Sequence, residues 1–172
     1  GVAAYAASKA GLIGLAHSLQ FEALKLKLDI KCNILIPQAE TRMTQDFAAS
    51  VNQRRERQGK SLAPNPPRAL MDRLSPDKVS AMVAWLAHPN CQAKANIYEA
   101  GGGYFARLNW ARSKPLFAVE KEDIYKAPTP EDIRDGKETL ADFKNGDMPN
   151  SGDGTMGGPS ALEQVLSHLK SV

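Results

Sequence analysis

The chain has 172 residues, of which 42% are hydrophobic, and a formal net charge of +3 at pH 7. This composition is sufficient for the core of one globular domain, and no run of 18 apolar residues could form a membrane span. The two cysteines exclude a disulfide framework, and neither they nor the three scattered histidines have the spacing of metal ligands.

The first predicted element is a helix that carries Tyr5 and Lys9. Side chains four residues apart project from one face of a helix, one turn apart. A cation beside a phenol favours the phenolate, and such a phenol can exchange a proton with an alcohol or carbonyl oxygen. The spacing therefore makes the two residues candidates for an acid/base pair, and a solvated surface pair is the alternative.

Small residues surround this pair and would leave room for a flat ligand or a neighbouring backbone. They are Ala6, Ala7, Ser8, Ala10 and Gly11. An apolar stripe then continues along the helix through Leu12, Leu15, Ala16, Leu19, Ala23 and Leu24. Its spacing predicts a helix face that lies in a core or an interface.

A strand is predicted over residues 29–36, ended by Pro37. One face carries Ile30, Cys32, Ile34 and Ile36, and Leu35 makes the far end apolar on both faces. This pattern is typical of a buried parallel sheet. A helix of about 20 residues that runs into such a strand forms an α/β unit.

The next part of the chain alternates between helices, a loop and a strand. Residues 41–58 are predicted to be helical, and the proline-containing residues 59–71 to be a loop. A second helix begins with Ser75 as its N-cap and stops at Pro89. Residues 95–100 are the second predicted strand, and the three glycines at 101–103 form a tight turn at its end.

After about residue 114 the pattern changes. Thr129 begins a short helix with acidic residues in its first turn. Residues 145–159 contain five glycines and read as a flexible linker. Residues 160–170 are predicted to form an amphipathic helix, which indicates a further domain or a tail that docks on its own domain.

These residues resemble the short-chain dehydrogenases/reductases. The run from Tyr5 to Leu12 and the run from Ile30 to Pro37 resemble the catalytic helix of that family and the strand that follows it. Later segments resemble the (3R)-hydroxyacyl-CoA dehydrogenase domains of peroxisomal multifunctional enzymes of type 2. They are Thr41–Thr44, Leu74–Val79, Trp85–His88, Ile97–Tyr104 and Leu108–Trp110.

The resemblance covers about residues 1–114 and implies an α/β fold. These residues would form the C-terminal half of a Rossmann-like, doubly wound parallel sheet. Residues 115–145 would add a helical extension, and residues 146–172 the flexible linker and the terminal amphipathic helix. The C-terminal extension is thus mostly helical or irregular.

The family places its phosphate-binding glycine loop, its acidic ribose-binding residue and its catalytic serine before the tyrosine. A dinucleotide site needs a strand, a glycine turn and a helix N-terminus in that order. No such order precedes Tyr5, and the glycines at 101–103 are not followed by a helix at the required spacing. We therefore expect the chain to be the C-terminal fragment of a longer enzyme, inactive alone and unable to bind a dinucleotide.

By resemblance, Tyr5 is the catalytic general acid/base. Lys9 is the lysine that favours the phenolate and bonds the nicotinamide ribose, so both residues are also expected to contact the cofactor. NAD is the expected cofactor, with NADP as the alternative, because the residue that distinguishes them would lie upstream.

The segment after Pro37 corresponds to the loop that touches the nicotinamide carboxamide and the pyrophosphate. Pro37, Ala39 and Thr41 are therefore expected to bind the cofactor. The sequence departs from the family's Pro-Gly pattern here, because Gln38 follows the proline. Thr44 is a second candidate hydroxyl, and a threonine in this segment could equally be the N-cap of the next helix.

The implied reaction transfers a hydride between the nicotinamide and a 3-hydroxyacyl-CoA in fatty-acid β-oxidation. The implied partners are an acyl-CoA thioester and a second copy of the protein, bound through the Tyr5 helix, and the implied location is the peroxisome, otherwise the cytoplasm. Two alternatives stay open: a ketoacyl or steroid reductase of the same superfamily, and a non-catalytic packing or tethering module.

The charge is unevenly distributed. Residues 1–114 hold 16 Lys/Arg and 8 Asp/Glu, whereas residues 115–172 hold 6 and 11. The basic part includes Arg54, Arg55, Arg57, Lys60, Arg68 and Arg73. These residues either attract the phosphates of coenzyme A or form a solvated surface; the lack of interleaved aromatic residues argues against nucleic acid.

Overall fold

The computed structural model describes residues 2–64, 66–118, 126–147, 164–165 and 167–168. The helices are α1 (Ala3–Lys25), α2 (Arg42–Arg57), α3 (Arg68–Arg73), α4 (Asp77–Ala87), α5 (Pro130–Asp135) and α6 (Lys137–Leu140). The strands are β1 (Ile34–Pro37), β2 (Ile97–Gly101) and β3 (Tyr104–Leu108). The chain divides into two compact units between Leu108 and Asn109. Within the described part of the chain, no helix is both long enough and apolar enough to cross a membrane.

The first unit is a mixed α/β structure around a three-stranded sheet with the order β1-β2-β3. β1 and β2 are parallel, with Ile34 opposite Ile97. β3 returns antiparallel to β2, with Gly101 opposite Tyr104. The parallel pair and the helix that leads into it confirm the predicted α/β unit, whereas β3 is an element that the sequence pattern does not predict.

β1 is shorter than predicted, and a side chain of α1 takes backbone groups of Ile30 and Cys32. The buried side chain of Gln20 donates from Nε2 to the carbonyl of Ile30 at 3.1 Å. Its Oε1 accepts the amide of Cys32 at 2.8 Å. The strand prediction is therefore wrong for residues 29–33 and right from Ile34 to Ile36.

The predicted tight turn after β2 is confirmed. Gly102 and Gly103 have φ values of 60° and 86°, which a residue with a side chain adopts only at a cost. Positive φ at both central residues is the geometry of a two-residue hairpin turn that matches the twist of the strands. The glycines thus reverse the chain from β2 into β3.

The helix prediction for residues 41–58 is confirmed by α2, and Thr41 is its N-cap. The amide of Thr44 donates to the hydroxyl of Thr41 at 3.4 Å, and the amide of Thr41 donates to the hydroxyl of Thr44 at 2.8 Å. This reciprocal capping box satisfies amides that the helix itself leaves free.

Three boundaries differ from the predictions. The predicted loop 59–71 ends early, because α3 begins at Arg68. The N-cap of α4 is Pro76 instead of Ser75; a hydrogen bond with the Ser75 side chain lowers the pKa of Asp77. β2 begins at Ile97, two residues later than predicted, and Ala95 has a φ of 53°, outside the strand conformation.

Six apolar residues are buried among the described residues of the first unit. They are Ala23, Val79, Cys91, Ala95, Ile97 and Ala100. Most of the predicted apolar stripe of α1 lies outside this core: Leu12, Leu15 and Leu19 are 50%, 53% and 46% exposed. Of the two predicted locations for the stripe, the core is therefore wrong for these leucines, and the interface stays a prediction.

In the second unit, Arg112 and Asp147 pair across the segment between them. Their backbones exchange two hydrogen bonds, at 2.9 and 3.0 Å, and the guanidinium Nε lies 2.9 Å from the Asp147 carboxylate. The predicted helix start at Thr129 is confirmed by the capping box of α5.

The predictions at the C-terminus fall largely outside the described residues. Residues 148–159 of the predicted linker are not described. Of the predicted helix over residues 160–170, the structure describes Gln164, Val165, Ser167 and His168, all of which are helical.

Candidate functional site

Tyr5 and Lys9 lie on α1 as the sequence predicts. The Lys9 ammonium nitrogen is 5.5 Å from the centre of the Tyr5 ring, within the range of a cation–π contact. The Tyr5 side chain is 63% exposed, so its hydroxyl is accessible to a ligand. Tyr5 is also in the first turn of α1, where the helix dipole is positive.

The far end of α1 is anchored to the sheet by two polar side chains. Gln20, which is 1% exposed, bonds the connection to β1 through Ile30 and Cys32. The His17 ring nitrogen Nε2 lies 3.0 Å from the carbonyl oxygen of Ala95, just before β2. These anchors set the direction of the helix that carries Tyr5.

Sequence reasoning did not identify Gln20 or His17 as anchors. Their signal is their position: each interrupts the apolar part of the helix, and they are three residues apart, on one face. A polar residue inside an apolar helix face is buried only if its polar atoms find partners.

The predicted cofactor residues Pro37, Ala39 and Thr41 lie in one segment between β1 and α2. The segment is held from two sides. The amide of Gln38 donates to the carbonyl of Ala100 at 2.8 Å, and that of Glu40 donates to the carbonyl of Leu74 at 2.7 Å.

Thr41 has the capping role that the sequence offered as the alternative to cofactor binding. Its hydroxyl oxygen accepts the amide of Thr44, and the Thr44 hydroxyl donates to the carbonyl of Thr41 at 2.7 Å. Capping uses an acceptor position of the Thr41 hydroxyl and leaves its proton for another acceptor. The cofactor roles of this segment stay predictions.

The backbone amide of Ala39 differs from those of its neighbours in its hydrogen bonding. The amides of Gln38, Glu40 and Thr41 all donate to protein groups. Among the hydrogen bonds of the described residues, none involves the Ala39 amide. This N–H is a donor that a ligand could use.

A groove of about 480 Å³ adjoins the same segment. Its walls include the α2 residues Ala48 and Ala49, together with Pro66 and Met71. Glu40 is at its edge and accepts a hydrogen bond from Gln45 at 3.0 Å. The sequence signal for this groove, which we did not predict, is the pair of small residues in an otherwise polar helix.

The basic residues at the end of α2 are not equivalent. Arg55 is half-buried and its Nε donates to the carbonyl of Ser61 at 2.6 Å, which ties the helix to the following loop. Arg54 and Arg57 are exposed. All three are in the last turn, where the helix dipole favours positive charge.

Comparisons with known proteins place the chain among larger proteins. No family model matches the chain. It is 30% identical over 171 residues to the peroxisomal multifunctional enzyme type 2 of Mus musculus, an alignment that covers 99% of the chain and 20% of the relative. It is 32% identical over 129 residues to a Mycobacterium tuberculosis protein named as a short-chain type dehydrogenase/reductase, covering 75% of the chain and 36% of the relative.

The solved structure of the full-length peroxisomal multifunctional enzyme type 2 from Drosophila melanogaster has a similar fold. The TM-score is 0.68 at 21% identity, over 97% of this chain and 25% of that one. The chain thus spans about a fifth of the length of the mouse relative and has the fold of one part of a larger enzyme.

Proposed function

We propose that this chain forms the acid/base half of a short-chain dehydrogenase site, because 99% of its length is similar to a peroxisomal multifunctional enzyme type 2. The observation that carries the proposal is the Tyr5–Lys9 pair, with the ammonium 5.5 Å from the ring centre. The relative named as a short-chain dehydrogenase/reductase aligns with three quarters of the chain. This alignment supports the dehydrogenase part of the multifunctional enzymes as the part to which the chain corresponds.

The proposed reaction is the oxidation of a 3-hydroxyacyl-CoA at C3 in fatty-acid β-oxidation. Nicotinamide, when bound, accepts the hydride. Tyr5 takes the proton of the C3 hydroxyl as the carbonyl forms and returns it in the reverse direction. Lys9 places a positive charge beside this phenol, with its ammonium nitrogen 5.5 Å from the centre of the ring.

The segment of Pro37, Ala39 and Thr41 is the proposed place of the nicotinamide end of NAD or NADP. The unused Ala39 amide suits the carboxamide oxygen, and the free proton of the Thr41 hydroxyl suits a phosphate oxygen. Within the part of the chain that the structure describes, no strand, glycine turn and helix follow one another in the order that binds a dinucleotide phosphate. We therefore expect no micromolar binding of NAD by residues 1–172 alone.

The groove beside this segment is the proposed site of part of the acyl-CoA thioester. Ala48, Ala49, Pro66 and Met71 offer apolar surface to an acyl chain, and the other lining residues, Glu40, Thr44, Gln45 and Asn52, are polar. Exposed Arg54 and Arg57 would attract the phosphates of coenzyme A. Arg55 instead bonds the carbonyl of Ser61, so we propose that it holds the loop after α2.

We further propose a homodimer through α1 and a location in the peroxisome. The exposed leucines of α1 support the first proposal, because large apolar surfaces on a helix are typical of an interface. The same exposure is also the observation that favours a non-catalytic packing module. The peroxisomal names of the multifunctional relatives support the proposed location.

The test is Tyr5→Phe in the complete protein that contains this sequence. Removal of an acid/base group should lower kcat by about 10²- to 10⁴-fold, with little change in the affinity for NAD. Tyr104→Phe is a matched control, because Tyr104 is a similarly exposed tyrosine on β3. A fully active Tyr5→Phe variant would contradict the catalytic role of Tyr5 and favour the alternative, in which α1 serves only for packing.

A further inference from the structure

Gly101, the last residue of β2, is buried against Gln38. A Cβ placed on Gly101 would overlap the carbonyl oxygen of Gln38, and would lie 2.5 Å from the Gln38 Cβ and 2.9 Å from its carbonyl carbon. The carbonyl is part of the backbone, so no side-chain rotation relieves the overlap. The segment after β1 can therefore take its position only when residue 101 has no side chain.

This contact fixes the direction of the Ala39 N–H. The Gln38 carbonyl and the Ala39 N–H belong to one planar peptide unit and point in opposite directions when it is trans, and the structure has no cis peptide among its described residues. Because the Gln38 oxygen faces Gly101, the Ala39 N–H points away from the end of β2.

The neighbouring amides keep this peptide unit from turning. Gln38 is bonded to Ala100 and Glu40 to Leu74. These two hydrogen bonds lie on either side of Ala39. The Ala39 amide itself makes none with the described residues. The local structure thus presents a single backbone donor in a defined direction.

We propose that Gly101 is a positioning residue for the nicotinamide: its lack of a side chain aims the Ala39 N–H at the carboxamide oxygen. The inference rests on the proposed function for the identity of the ligand. In the family pattern a glycine follows the proline, whereas here Gln38 does. The space that the Gln38 backbone needs is provided by the missing side chain of Gly101 at the end of β2.

Gly103 provides a matched control in the same hairpin. It has a φ of 86°, and a Cβ placed on it meets no atom within 4 Å. Gly103→Ala therefore strains the turn without touching Gln38, whereas Gly101→Ala displaces the Gln38 carbonyl. Any effect of general hairpin damage should appear in both variants.

The first measurement is amide hydrogen exchange in residues 1–172 by NMR. Gly101→Ala should speed the exchange of the Gln38 and Glu40 amides by about tenfold or more, because it loosens both anchors. Gly103→Ala should leave these two amides within about twofold of the unchanged protein. Equal exchange at Gln38 in both variants would overturn the inference, whatever the protein's activity.

The second measurement is steady-state kinetics of the complete dehydrogenase. Gly101→Ala should raise the KM for NAD by about fivefold or more, the effect of one lost hydrogen bond, and leave the KM for the acyl thioester unchanged. Ala39→Pro removes the N–H itself and should raise the KM for NAD to a similar degree.

The outcomes separate this inference from the proposed function. If neither variant changes the KM for NAD, Gly101 does not position the cofactor, although the role of Tyr5 stands. If Tyr5→Phe is fully active, the proposed function fails first. Should Gly101→Ala not fold, Ala39→Pro decides alone, and an unchanged KM for NAD in that variant overturns the inference.

Discussion

Lys27 and Gly59 occupy the same position after two different helices, two residues beyond the ends of α1 and α2, with φ values of 55° and 65°. In each case the amide of the next residue donates to a carbonyl five residues back, from Leu28 to Ala23 at 2.8 Å and from Lys60 to Arg55 at 2.9 Å. This is the Schellman ending of a helix, in which glycine is the preferred residue. α1 has a lysine at this position, and α2 has the preferred glycine.

Lys27→Gly should therefore stabilise the protein by about 1 kcal/mol, because a left-handed residue with a side chain costs about that much. Gly59→Lys is the matched reverse change and should destabilise it by a similar amount. Urea unfolding of both variants measures the effect. A destabilised Lys27→Gly variant would contradict the prediction.

Replacement of Gln20 tests the anchor between α1 and β1. Gln20→Met keeps the length of the side chain but leaves the Ile30 carbonyl and the Cys32 amide without partners. Each unsatisfied group costs about 1–3 kcal/mol, so we expect a loss of at least about 2 kcal/mol in the free energy of unfolding. Gln53→Met, at an exposed position of α2, should change it by less than about 0.5 kcal/mol.

The start of α5 should depend on pH. Hydrogen bonds from the backbone amide of Thr129 and then from its hydroxyl lower the pKa of the Asp132 carboxyl. A group with a lowered folded pKa stabilises the fold above its unfolded value of about 3.9, and this contribution is lost as the pH falls through the folded pKa.

We therefore expect the Thr129 amide to lose protection as the pH falls below about 4, in an NMR titration of the chain. Asp132→Asn should weaken the cap at neutral pH and remove this pH dependence. Asp135→Asn, at the end of the same short helix, should leave the Thr129 titration in place. If the Thr129 amide still loses protection at low pH in the Asp132→Asn variant, another group causes the pH dependence.

The α1 leucines should determine the oligomeric state of the complete protein. Leu15→Glu with Leu19→Glu places two charges in the proposed interface, and desolvated unpaired charges oppose association. We expect a dimer for the unchanged protein and a monomer for the variant by light scattering. Leu70→Glu is a matched control, because Leu70 is 47% exposed on α3 and Leu19 is 46% exposed on α1. A dimer in both cases would place the interface elsewhere.

The parts of the fold that follow from neighbouring residues could be predicted from the sequence. Thr41 and Thr129 each cap a helix with the residue three places ahead, and Gly102 and Gly103 form the turn that their conformational freedom suggests. The Tyr5–Lys9 pair also follows from spacing along one helix. These features depend on residues that are one to four positions apart in sequence.

The features that were missed depend on distant residues. Ile30 and Cys32 leave the predicted strand because Gln20, ten or more residues earlier, takes their backbone groups. β3 forms because β2 offers it a free edge. The contact of Gly101 with Gln38 joins residues that are far apart in the chain, and no local pattern marks it.

The pairing of Arg112 with Asp147 has a consequence for the architecture of the chain. The two residues share a pair of backbone hydrogen bonds, so the polypeptide enters and leaves the intervening segment at one point. A segment of this kind can gain or lose residues without altering the path of the chain on either side. The segment between Arg112 and Asp147 can thus vary in length while these two residues stay paired.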